Sequence, residues 1–143
     1  MLYSDFKDLK VWQKSIDLCQ DIYCLIDIFP KSETFGLVSQ IRRSAISIPS
    51  NIAEGQARHA DKEFIRFLNI AYGSLAELET QLIISVKVGY SKEDIIDGLN
   101  AKIKEIGRMI MALINSIEKN LATQKLNNSE TQQLRNSNNG TIQ

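Results

Sequence analysis

Apolar residues keep helical time along most of this chain. From Leu9 they run Leu9, Trp12, Ile16, Cys19, Tyr23 and Ile26, in steps of three and four. That spacing puts them on one helical stripe. Pro30 is expected to end this first helix, because the residue before a proline avoids the α region. A second helix is predicted over "FGLVSQIRRSAISIPSNIAEGQ", with Ile41, Ala45, Ile48 and Ile52 on its seam and Gly55 at its C-terminal cap or bend. A third should start at Asp61 as N-cap and end at Gly89, with Phe64, Leu68, Ala71, Leu75, Leu78 and Leu82 inward and Ile65, Tyr72 and Val86 as a second stripe. A fourth should start at Ser91, whose "SKED" fits a capping box, and carry Ile96, Leu99, Ile103, Ile106, Ile110, Leu113 and Ile117 inward.

After Leu121 the pattern dissolves into "TQKLNNSETQQLRNSNNGTIQ", rich in Asn, Gln, Ser and Thr. Such a segment cannot bury enough surface to offset its ordering entropy, so residues 122–143 are expected to form a disordered tail. Helices of about 20 to 29 residues, roughly 30 to 43 Å long, joined by short connections predict an all-α, antiparallel, up-down-up-down four-helix bundle over residues 1–121.

The wheel of the second helix raises a further question. Arg43, Ser47, Ser50 and Glu54 cluster opposite the seam, while Arg42, Ile46, Pro49 and Ala53 occupy a third side. Pro49 is therefore expected off the core seam. It removes one backbone hydrogen bond, at a helix cost of about 3 kcal/mol, which predicts a continuous helix kinked near Ala45 to Pro49. Ser47 or Ser50 could satisfy the freed carbonyl. Glu79 stands in the second stripe of the third helix, where an apolar residue is expected, and is one candidate partner for Arg43; a surface Arg43 is the other reading.

Composition narrows the functional classes. A chain of 143 residues, 43% hydrophobic, can bury a core. Its 17 basic and 17 acidic residues leave no net charge, so nucleic-acid binding would require a local patch. Cys19 and Cys24 diverge on one helix and read as reduced thiols, Cys19 as a small core residue. The opening "MLYSDFKDLK" is polar and no apolar run reaches membrane-span length, so a cytoplasmic setting is expected.

Catalytic chemistry has little to stand on. A bundle di-iron site uses two Glu-x-x-His pairs, but His59 is the only histidine and reads as a solvated loop residue. Glu77 and Glu79 diverge by about 200° on their helix. No catalytic residue, metal or cofactor is expected.

Three stretches, "FKDLKVWQKSIDL", "FPKSETFGLVSQIRRSAISIPSNIAEG" and "FIRFLNIAYGSLAELETQL", closely resemble the 23S rRNA intervening-sequence protein family, also called four helix bundle proteins. These are small bacterial proteins, many encoded inside insertions in 23S rRNA genes. The resemblance covers Phe6 to about Tyr90; the fourth helix matches by pattern only and the tail not at all. It implies a left-handed bundle assembling as a ring-like homopentamer. A more distant bundle, the accessory protein of diversity-generating retroelements, is pentameric and works with a reverse transcriptase and nucleic acid. The motif "SIPSNIAEG" is complete at Ser47, Ile48, Pro49, Ser50, Asn51, Ile52, Ala53, Glu54 and Gly55, and no catalytic role comes with it.

Two functions follow, with an enzyme as a distant third. The first is an oligomer that binds nucleic acid, RNA or an RNA–protein complex foremost. Its candidate cations are Lys7, Lys10 and Lys14 on one face of the first helix, Arg42 and Arg43, and Arg58, Lys62 and Arg66 at i, i+4, i+8 if helical phase extends back to Arg58. Interleaved Asp5, Asp8, Asp61 and Glu63 also permit a merely solvated mixed face. The second is a protein-interaction scaffold: Leu18, Ile22, Leu25 and Phe29 exceed one seam of the first helix and suggest subunit contacts.

Overall fold

The computed structural model describes residues 5–140. Four helices form the bundle: α1 (Lys10–Ile26), α2 (Leu37–Ala57), α3 (Asp61–Lys87) and α4 (Glu93–Asn139). Short 3-10 turns at Phe6–Asp8 and Lys31–Glu33 precede α1 and α2. Each helix packs on its sequence neighbours, and α1 closes the ring against α4. The cross-helix pairs run in opposite senses: Ser44 meets Gln81 and Ser47 meets Ser74, while Lys14 meets Glu105 and Asp21 meets Lys102. The architecture is the expected up-down-up-down arrangement.

The inward seams of α2 and α3 are buried as their periodicity predicts, and that of α4 is too except at Leu113, which is half-buried while Ile114 takes a core position. The face of α1 is corrected. Val11, Ser15, Leu18, Ile22, Leu25 and Ile26 are buried, whereas Ile16 is 41% and Tyr23 45% exposed. Leu18, Ile22, Leu25 and Phe29, expected at subunit contacts, belong to the core. Two apolar stripes run side by side on α1, and periodicity alone does not say which one turns inward. The helix also stops at Ile26, four residues before Pro30.

Pro49 is corrected as well, being buried rather than off the seam, within an uninterrupted α2. The carbonyl of Ala45, four residues back, loses its helical donor because proline has no N–H. Neither Ser47 nor Ser50 supplies a replacement. The Cys19 thiol does, reaching across from α1 to donate to Ala45 O at 3.2 Å. Burial raises the Cys19 pKa to about 11, so at neutral pH the sulfur keeps the proton it donates.

Gly55 lies inside α2 and is not its cap. A Cβ there would stand 2.6 Å from Phe67 Cβ and 3.0 Å from a Phe64 ring carbon. The residue is glycine because α2 and α3 nearly touch at this point. The chain reverses instead at His59, whose φ of 53° lies in the left-handed region. His59 follows the Arg58 C-cap and donates its N–H to Gln56 O at 3.2 Å. Asp61 is the first helical residue of α3, with Ala60 as N-cap.

At the opposite end, α3 closes in a Schellman turn. Gly89 has φ 84°, its N–H donates to Val86 O, and Tyr90 N–H donates to Ser85 O. The Tyr90 ring then packs on Phe29 at 5.7 Å, and its hydroxyl donates to Glu33 Oε1 at 3.0 Å. Glu33 Oε2 accepts from Leu37 N at 2.9 Å, which serves the open start of α2. One carboxylate thus ties the α1–α2 connection to the α3–α4 connection. The capping box expected at Ser91 does not form: Lys92 is the N-cap, and the buried Ser91 hydroxyl has no partner.

The expected disordered tail is corrected in part. Helix α4 continues without a break through Asn139, and every residue from Ala122 to Gly140 is exposed; Ile142 lies outside the described residues. No proline or glycine interrupts residues 122–139, and Thr123, Thr131 and Ser137 turn their hydroxyls back to carbonyls four residues earlier. Composition correctly indicated an absence of burial, but an absence of burial does not here mean an absence of helix.

Two outcomes are expected. Gly55→Ala should destabilise the fold: overpacking of about 1–3 kcal/mol exceeds the roughly 1 kcal/mol gained in helix propensity, and urea unfolding will read the loss. The hydrogen bonds from Leu37 N and Tyr90 hold the Glu33 carboxyl below its ordinary value of 4.5. Its contribution is therefore complete above that value and is lost as pH falls through the lower, folded one. Thermal melts below pH 4.5 should decline more steeply for the native chain than for Glu33→Gln.

Candidate nucleic-acid interface

The polar residues of α2 divide between two surroundings. Ser44 and Ser47 point at α3. Ser44 Oγ donates to Gln81 Oε1 at 2.7 Å, both residues being buried. Asn51 Nδ2 donates to Ser47 Oγ at 2.9 Å, the Ser47 and Ser74 hydroxyls are hydrogen-bonded at 2.8 Å, and Ser74 Oγ donates to Ile70 O at 3.0 Å. The Ser74 proton is committed to Ile70, so Ser47 is the donor between the two serines. Short polar side chains let the two helices approach while satisfying each other. Arg43, Ser50 and Glu54 face outward instead. The motif "SIPSNIAEG" is therefore chiefly an instruction for packing α2 against α1 and α3.

The candidate cations separate into groups. Lys7 stands in the 3-10 turn before α1 and Lys10 opens that helix, Arg58 caps the end of α2, and Lys62 and Arg66 lie at the start of α3. The antiparallel order brings these five to one end of the bundle. The expected continuous phase through Arg58, Lys62 and Arg66 does not occur, since α2 ends before Arg58 and α3 begins after it. Packing unites two of them nonetheless. The Arg58 and Arg66 guanidinium carbons lie 5.3 Å and 4.4 Å from the centre of the Phe67 ring. Arg58 also pairs with Glu54 at 3.0 Å, and Arg66 with Glu63 at 3.0 Å. The hydrogen bond to Arg66 lowers the Glu63 pKa, and the same bond raises that of Arg66. Lys62 is exposed.

The remaining candidates stand apart. Lys14 is paired with Glu105 of α4 at 2.7 Å, which lowers the pKa of that carboxyl. Arg42 and Arg43 are about 15 residues from Arg58 along α2, roughly 22 Å. Arg43 is exposed, while Arg42 lies 5.7 Å from the Tyr23 ring with its Nε buried and unpartnered. No ion pair joins Arg43 to Glu79. Glu79 lines the groove between α3 and α4 with Lys104 and Arg108, cations that the apolar pattern did not bring forward. His59, the one histidine, is exposed in the α2–α3 turn. Among the described residues no group of three His, Cys, Asp or Glu could hold a metal ion, and no helix is long and apolar enough to cross a membrane.

Fold and surface together define a small all-α protein, a four-helix bundle with a cation-bearing end. Residues 7–112 match the family described as 23S rRNA-intervening sequence protein, and the chain belongs to that family. It is similar to a protein of unknown function from the S23 ribosomal protein family of Bacteroides thetaiotaomicron VPI-5482, whose crystal structure superposes with a TM-score of 0.68. The two are 27% identical over 73% of this chain and 95% of the other. No curated protein matches the chain.

The thiol bridge to α2 gives a direct test. Cys19→Val removes the donor and should cost about 1–3 kcal/mol, the range for a buried acceptor left unsatisfied. Cys19→Ser, which keeps a donor, should cost less in the same urea titration.

Proposed function

We propose that this protein is a non-catalytic bundle that assembles with copies of itself, as a homopentamer, and binds nucleic acid, RNA foremost, through cations summed over the assembly. The observation that carries the reading is the convergence of Lys7, Lys10, Arg58, Lys62 and Arg66 at one end of the bundle, with two guanidinium groups braced on the Phe67 ring. A stacked guanidinium loses little further freedom when it meets a phosphate. Glu54 and Glu63 offset part of this charge, so a single subunit would bind weakly. Repetition around an assembly multiplies the contact, because phosphate binding follows summed charge.

Self-assembly draws support from the outer face between α1 and α2. Ile16, Tyr23 and Ile46 are each more than 40% exposed there, beside the half-buried Trp12 and Cys19. The same face favours a second reading, a protein-interaction scaffold with no nucleic-acid role.

Light scattering should give a mass several times the 16.2 kDa of one chain; a monomeric mass refutes the assembly. Affinity for a structured rRNA fragment should fall about a hundredfold between roughly 50 and 200 mM salt, as neutralising about four phosphates requires. Salt-independent binding, or none at low salt, refutes the RNA reading and leaves the scaffold.

A further inference from the structure

Helix α4 is 47 residues long, about 70 Å. Its inward seam runs through Ile110, Ile114 and Ile117 to Leu121, where the bundle ends. The same stripe then continues in unbroken steps of four and three as Lys125, Asn128, Gln132, Arg135 and Asn139. The face that is core within the bundle thus becomes, beyond it, a row of polar side chains bearing hydrogen-bond donors. Helical geometry puts Glu130, Leu126 and Leu134 on the opposite side. Glu130 is the only acidic residue after Leu121, in a chain that has 17. This stripe is therefore free of the interleaved carboxylates that offset the other candidate cations.

The arm leaves from the cation-bearing end. Leu9 and Val11 line one groove with Met109, Leu113 and Ser116, and a Cβ on Gly107 would meet the Tyr72 ring at 3.4 Å. These contacts set the start of α1 and the first half of α3 against α4 short of Leu121. Residues 122–139, about 27 Å of helix, project past the end that carries Lys7, Lys10, Arg58 and Lys62. Their polar stripe, being the prolonged core face, overhangs that end.

We infer that this overhang and the bundle end form one L-shaped cleft for double-helical RNA, an inference that rests on the RNA reading above. Lys125 and Arg135 lie about 15 Å apart along the arm and suit phosphates. Asn128, Gln132 and Asn139 both donate and accept, and suit the 2′-hydroxyls of the wide, shallow minor groove of A-form RNA. Recognition of unpaired bases uses aromatic platforms, and no aromatic residue follows Tyr90 in the sequence.

The test uses the full chain at low salt with three probes: a short RNA duplex, a DNA duplex of the same sequence, and the single RNA strand. The native chain should bind the RNA duplex tightest. The double variant Lys125→Glu, Arg135→Glu should weaken that binding by about tenfold or more, while Glu130→Gln on the far side should not weaken it. Asn128→Ala with Gln132→Ala keeps the charge and raises helix propensity, so it tests the arm without threatening its helix; it should narrow the preference for RNA over DNA duplex several-fold. Equal binding of the DNA duplex or the single strand by the native chain overturns the inference. So does an unchanged affinity in both arm variants when the native chain binds RNA with the expected salt dependence, which leaves the proposed function standing. Failure of the native chain to bind any RNA removes both.

Discussion

The arrangement of this bundle depends on how closely α2 and α3 approach. At Gly55 the gap will not admit a methyl group, and further along Ser44, Ser47, Ser74 and Gln81 hold the two helices together by short polar contacts. Leucine at those positions would force the helices apart. Because they are not apart, Phe67 comes to lie under the α2–α3 turn, where Arg58 and Arg66 both reach its ring. The surface chemistry of that end is a by-product of backbone proximity one layer below.

Most of the fold could be read in the sequence, and the failures have definite causes. The α2 seam was legible because it is a single apolar stripe, and that of α3 because its main stripe has six apolar residues against three in the second; that of α4 was nearly so. Helix α1 has two stripes side by side, and the deciding residue, buried Ser15, argues for the wrong one. Its hydroxyl donates to Trp12 O at 2.7 Å, a local bond that makes its burial tolerable and that no apolar count can register. Gly55 reads as a cap or bend in sequence because a glycine near a helix end serves equally well for a turn or a close approach. Only the position of Phe67 in space distinguishes them. The cations of the candidate interface were found by residue type, but their grouping was not. Arg58 and Arg66 meet through a ring on a helix, not through a shared helical phase.

The two ends of the bundle are built differently. At one, Glu33, Tyr90, Phe29 and the Gly89 turn bind the two connections into a closed unit. At the other, the α2–α3 turn relies on a histidine in a left-handed conformation, charged side chains are exposed, and α4 runs on beyond its neighbours. Cross-connection contacts close one end, and exposed charge marks the other.

The bond from Cys19 to Ala45 makes the regularity of α2 depend on α1. A lone α2 segment cannot complete its own ladder, because Pro49 leaves the Ala45 carbonyl with no donor on the same helix. The missing proton belongs to a residue 26 positions earlier. In the folded chain the central turn of α2 is therefore completed by α1, and the ladder there is a property of the pair of helices, not of one. A residue usually regarded as a helix breaker acts here as a coupling between two helices.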